Sequence, residues 1–160
     1  MSTAGRVVAG IVLAPFAVLA FGIGGCEARK AYYDRQVREL CEKDGGVTVL
    51  QRMKLSAAEA KRLGTVGGFL SIPTRDRADP RSPVFAEDER TELRSGNLEI
   101  YRIEERLVWR ESGRVFARVV RYARRGGDFP SFAHPSYFTC PDDVSVFRAR
   151  EAAFEIEQGG

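Results

Sequence analysis

The chain is poor in the residues that usually carry chemistry. Its 160 residues include one His, one Trp, two Met and three Cys. A Ser-His-Asp triad would have to use His134, with Ser131, Ser136 and Asp128 nearby in sequence. There is no CxxC and no His–Cys cluster, so no metal site is expected. Walker, HExxH and EF-hand patterns are missing, and Gly22–Gly25 lacks the strand–turn–helix context of a dinucleotide fingerprint. No cofactor is expected. Acidic residues are absent before Glu27, and from Met1 to Gly25 the one charged side chain is Arg6. Lysine is scarce as well, 4 against 21 Arg, yet the formal charge is only +3. So balanced a charge gives no ground for a nucleic-acid partner.

What the first segment does have is an apolar run, Val7–Ile23, behind a single positive residue. That order, closed by small residues, is the pattern of an export signal. As a helix the run would reach about 25 Å, short of a hydrocarbon core of about 30 Å. Ile23-Gly24-Gly25-Cys26 resembles the lipobox of bacterial lipoproteins, with an aliphatic residue, two small residues and then cysteine. The resemblance implies cleavage before Cys26, a diacylglyceryl thioether on its sulfur and an acylated new N-terminus. Glu27, rather than Asp, follows the cysteine, which permits outer-membrane sorting in a Gram-negative cell. The alternative is an uncleaved anchor helix that pairs within an inner-membrane complex. Arg29, Lys30 and Arg35 after the run oppose it by the positive-inside rule. Either way Cys26–Gly160 lies outside the cytoplasm, facing the periplasm.

An exported chain with an odd cysteine needs an explanation. Lipidation would remove Cys26 from the count and leave Cys41 and Cys140, which an oxidising compartment would join. Cys26–Cys41 is disfavoured, because a helix over residues 28–43 would hold them about 20 Å apart, against a bridging limit of about 7 Å. A Cys41–Cys140 loop of about 100 residues is worth up to about 4.7 kcal/mol by chain entropy.

The remainder reads as α+β: an N-terminal helix packed on a small antiparallel sheet with a long central hairpin. Residues 28–43 place Tyr33, Val37, Leu40 and Cys41 on one helical stripe, stopped by Gly45-Gly46. Val47–Leu50 is β-rich and could continue to Leu55. Ser56 with Glu59 forms a capping box for a short helix through Leu63, ended by Gly64. Phe69–Ile72 is a short strand, and Thr74–Pro83 is a loop by composition. Val84–Leu93 is ambiguous, with weak strand character and heavy charge. Leu98–Arg110 and Arg114–Ala123 form a hairpin about Ser112-Gly113. A two-residue turn would set Trp109 against Phe116, Ile103 against Tyr122 and Glu104 against Arg121. The expected organisation is a signal at 1–25, one domain at 26–141, and a weakly ordered tail at 142–160 with a helix near Val146–Ile156.

Three stretches carry a second resemblance: Cys41-Glu42-Lys43-Asp44-Gly45-Gly46-Val47, Arg121-Tyr122-Ala123-Arg124-Arg125-Gly126-Gly127-Asp128, and His134-Pro135-Ser136-Tyr137-Phe138-Thr139-Cys140-Pro141. With the lipobox they resemble a family of small, uncharacterised proteobacterial lipoproteins. That resemblance runs from about residue 24 to residue 141. It supports pairing of Cys41 with Cys140 and implies no catalytic residue.

Ten arginines lie between Arg90 and Arg125, against five Glu and no Asp. They could be surface cations paired with glutamates across strands. They could instead form an anion-binding face, with Arg121, Arg124 and Arg125 beside Gly126-Gly127 as the candidate patch. The expected function is a lipid-anchored envelope binding module. Its partners would be the membrane through Cys26, and an envelope protein, anionic glycan or lipid. The enzyme alternative is a hydrolase using His134 and a nearby Ser or Asp.

Overall fold

A computed structural model describes residues 3–128 and 135–157. The fold is α+β, with an N-terminal helix packed on a mostly antiparallel sheet. Helix α1 spans Thr3–Asp44. It is followed by β1 (Gly46–Val49), β2 (Met53–Ser56), α2 (Ala57–Leu63), β3 (Thr65–Val66) and β4 (Phe69–Leu70). Then come β5 (Val84–Arg94), β6 (Leu98–Trp109), β7 (Val115–Gly126), β8 (Tyr137–Cys140), α3 (Asp143–Glu151) and β9 (Phe154–Glu157).

The main sheet has the order β1-β7-β6-β5. Strands β1 and β8 share one edge of β7, β1 beside Ala117–Val120 and β8 beside Tyr122–Arg125. One face of the sheet receives α1 through Val37, Cys41, Leu98, Ile100, Val120 and Tyr122. Toward the other end, a second core of Val84, Ala86, Leu107, Phe116, Ala117 and Ala153 packs with Met53, Leu63 and Phe154. The sheet is thus covered on one side by a long helix and, toward its far end, by a pad of α2, β2, α3 and β9.

The capping box forms as the local sequence dictates. Glu59 N–H donates to Ser56 Oγ, and the Glu59 carboxylate accepts from Ser56 N–H at 2.9 Å. Gly64 ends the helix. The strand after Gly46 stops at Val49 rather than running on, and a separate strand begins at Met53. The ambiguous Val84–Leu93 segment is a full strand at the sheet edge, where solvent accepts its charges.

The central hairpin forms, but in a different register from the expected one. Ile103 opposes Arg121, Glu104 opposes Val120 and Tyr122 opposes Arg102. Two features cause the slip. Trp109 N–H donates to Arg114 O, so the connection is the four residues Arg110–Gly113, with Gly113 at φ +66°. Phe116 is then an extra residue, since Leu107 pairs with Ala117 and Val108 with Val115. This bulge keeps Phe116 and Ala117 in the same core and aims the Phe116 carbonyl at Leu50 and Gln51 N–H.

Residues 143–157, expected to be weakly ordered, are built into the fold. Asp142 caps α3 by accepting from Ser145 N–H. Val146 and Ala153 are buried, and β9 pairs in parallel with β2. The helix ends at Glu151, earlier than the pattern suggested, because Phe154–Glu157 is taken up by β2.

Candidate functional site

The most heavily built part of the surface is the seam between α1 and the start of β6 and end of β7. Lys30, Asp34, Val37 and Cys41 recur at spacings of four, three and four, so they share one helical face. Each is committed. Lys30 Nζ pairs with Asp128 Oδ1 at 3.0 Å and with the Glu27 carboxylate. Asp34 accepts from Arg124 Nε. Val37 is fully buried. Cys41 is bonded to Cys140, with Cα atoms 5.9 Å apart.

Asp128 holds the far side of this seam. Its carboxylate accepts from Ser136 N–H and from Lys30. The backbone donor, helped by the lysine, lowers its pKa to about 2. Hydrogen bonds from Lys30 to Glu27 and then to Asp128 push the Lys30 ammonium above its ordinary value. Gly127 permits the close approach, because a Cβ there would stand 2.8 Å from Leu98 Cδ1 and 3.3 Å from Lys30 Cγ.

The three candidate arginines do not form one patch. Side chains alternate along a strand, so Arg124 faces α1 while Arg121 and Arg125 point to the opposite side. Arg124 is 3% exposed and donates to Asp34, Gly126 O and Ser136 Oγ. It is a structural clasp, buried against α1 rather than presented on an open face. Arg121 pairs with Asp143 at 2.7 Å. Arg125 is exposed, beside a shallow cavity of about 240 Å³ lined also by Asn97, Glu99 and Gly127.

Most of the other arginines in this stretch are neutralised by acids. Glu104 takes Arg102 at 2.7 Å and Arg118 at 3.1 Å, and the bond from Arg102 lowers its pKa. Arg106 reaches Glu89 and Arg90 reaches Glu99, each at 3.6 Å. Arg110 donates to the Ser82 and Asp79 carbonyls instead. Arg94 is different. Pairing shifts between Glu92 and Arg94, where Leu93 is the extra residue. That bulge turns Arg94 to the helix side, over the Tyr33 ring at 4.7 Å. Sequence reasoning missed Arg94, because nothing local announces the bulge.

A buried acid lies under the pad. Glu105 faces Arg150 from α3, Nη1 to Oε1 at 3.0 Å, but the alignment leaves Oε1 without a hydrogen bond among the described residues. Burial raises its pKa, with Arg150 opposing the rise. His134, the residue on which the hydrolase alternative rests, lies outside the described residues, as does Ser131.

At the other end of the seam is Cys26, the one free cysteine of the described residues. Gly24 and Gly25 precede it within α1, and a Cβ on either would meet nothing within 4 Å among the described residues. Among the described residues, no helix is long and apolar enough to cross a membrane, and no group of three or more His, Cys, Asp or Glu could hold a metal ion. Comparison with known proteins returns no matching family model, no matching curated protein and no matching solved structure.

Proposed function

We propose that the chain is a lipoprotein of the bacterial cell envelope, cleaved before Cys26 and held at a membrane by lipid on that residue. Its α+β domain then faces the periplasm as a binding module. The observation that carries this reading is Gly24-Gly25. Each glycine costs a helix interior roughly 1 kcal/mol relative to alanine. Among the described residues, a Cβ at either would meet no neighbour within 4 Å. Small residues before a cysteine are what a processing enzyme needs, and no contact among the described residues competes with that explanation.

The cysteines support the same reading. Cys41 and Cys140 are joined, which suits an oxidising compartment, and Cys26 is left over at the end of the apolar segment. One acyl chain binds a bilayer marginally, whereas two or more hold it stably. The test is intact mass of the membrane-extracted protein. The expected mass lacks residues 1–25 and includes the lipid, and Cys26→Ser should abolish both changes. A full-length, unlipidated wild-type protein in the membrane fraction would overturn the reading.

A further inference from the structure

The end of the domain next to Cys26 carries a surface that the rest of the fold leaves unneutralised. Arg29 and Arg94 both stand at the Tyr33 ring, 6.0 and 4.7 Å from its centroid. One comes from α1 and the other from the end of β5, so two separate elements converge there. Neither arginine has an acidic partner within ion-pair distance among the described residues. The nearby acids are engaged elsewhere or point away. Glu27 is held by Lys30 and Asp34 by Arg124. Glu92 opposes Tyr101, on the sheet face away from α1.

Apolar and aromatic groups flank the two cations. Tyr32 packs edge-on against Tyr33 at 5.1 Å and is 58% exposed. Leu93, the extra residue of the β5 bulge, is 47% exposed beside Arg94. Exposed Tyr and Leu next to unpaired Arg suit a membrane–water interface, where Tyr is enriched and Arg reaches phosphate.

Position along the helix agrees. At 1.5 Å per residue, Arg29 is about 4–5 Å and Tyr33 about 10 Å from Cys26 along the axis. The polar layer on each side of a bilayer is about 5–8 Å thick. A helix leaving the hydrocarbon boundary at Cys26 therefore carries Arg29 through that layer and brings Tyr32 and Tyr33 to its outer edge. Lys30 is already docked on Gly127 and Asp128, so the helix enters the membrane surface as a rigid extension of the domain.

We propose that Arg29, Tyr32, Tyr33, Leu93 and Arg94 form a face that docks on anionic phospholipid, with the two guanidinium groups taking lipid phosphates. The proposal rests on the lipid-anchor reading above. It gives the anchored domain a fixed orientation, with β5–β6 turn residues Ser95–Asn97 toward the bilayer and the Phe116 end away from it.

The test uses membrane-extracted protein reconstituted in two vesicle types, neutral phosphatidylcholine and phosphatidylcholine with about 30% phosphatidylglycerol. Flotation reports the anchor. Arginine-specific dicarbonyl labelling, read by peptide mass spectrometry, reports the face. Labelling of Arg29 and Arg94 should fall about 5-fold or more in the anionic vesicles and recover in about 1 M salt. Arg52 and Arg77, toward the Phe116 end, should label equally in both. Protein that floats with both vesicle types but shows equal labelling of Arg29 and Arg94 overturns the docking face and leaves the anchor standing. Protein that fails to float with neutral vesicles overturns the anchor, and the docking face with it.

Discussion

The two covers of the central sheet are attached by different physics. Helix α1 brings few apolar groups to its face, chiefly Val37, Leu40 and Cys41. Its attachment is completed by the Asp34–Arg124 and Lys30–Asp128 pairs and by a covalent bond to Cys140. The pad on the other side relies on burial. Leu55, Phe116 and Ala153 are almost wholly out of water, and Phe116 meets Phe154 edge-on at 5.3 Å. A thin apolar stripe cannot hold a helix by area alone, at roughly 25 cal/mol per Å², so the α1 side uses charge and a crosslink. The α1 seam therefore weakens on reduction and in acid, whereas the pad weakens chiefly on cavity formation.

The largest effect should come from emptying the pad. Phe116→Ala removes a fully buried ring and should cost about 3–5 kcal/mol in denaturant unfolding, with or without reductant. Next is the seam. Cys41→Ser with Cys140→Ser should cost about 2–5 kcal/mol. Hydrogen exchange should then rise in Val37–Asp44 before it rises in β2 or β9, and equal rises would mean that the two covers open together. Arg124→Met strands Asp34 against the sheet and should cost about 3 kcal/mol. A loss below about 1 kcal/mol would mean that water reaches the pair readily.

Acid should separate the covers by sign. The Asp128 pKa is held at about 2, below its ordinary 3.8. Its contribution is fully present above the ordinary value and is lost as pH falls toward 2, so Asp128→Asn should flatten stability over that window. Glu105 has its pKa raised above 4.5 by burial. Its ionised form is the disfavoured one, so the fold gains as pH falls through the raised pKa toward 4.5. Glu105→Gln should remove that gain, and an unchanged pH profile in the variant would show that Arg150 already compensates the charge. The smallest effect expected is Ser56→Ala at the α2 capping box, about 1 kcal/mol by thermal unfolding.

Features written in neighbouring residues were legible in the sequence. The Ser56–Glu59 box depends on four consecutive residues and forms as read. The Cys41–Cys140 pair followed from counting cysteines and from helix geometry. What the sequence hid was set by irregularities and by distant pairing. A two-residue turn was the economical reading of Ser112-Gly113, but Arg110–Gly113 and the Phe116 bulge moved the register by one. The β5 bulge moved Arg94 to the helix face with no local sign. Strand β9 looked like part of a tail because its partner β2 lies about a hundred residues earlier in the chain. The arginine cluster read as a patch because sequence adjacency ignores the alternation that sends Arg124 inward and Arg125 outward.

The Cys41–Cys140 bond also changes what a broken backbone would mean. The bonded cysteines are 99 residues apart in sequence, and the exposed Arg75–Arg77 stretch lies between them. A protease that cuts there yields two chains still joined at α1 and β8, rather than two fragments. The sheet strands on either side of the cut stay paired with their neighbours, and the pieces cannot diffuse apart. On a gel without reductant the nicked protein would run as one species, and only reduction would reveal the damage. The crosslink thus acts as insurance against chain scission as well as a stabiliser of the intact fold.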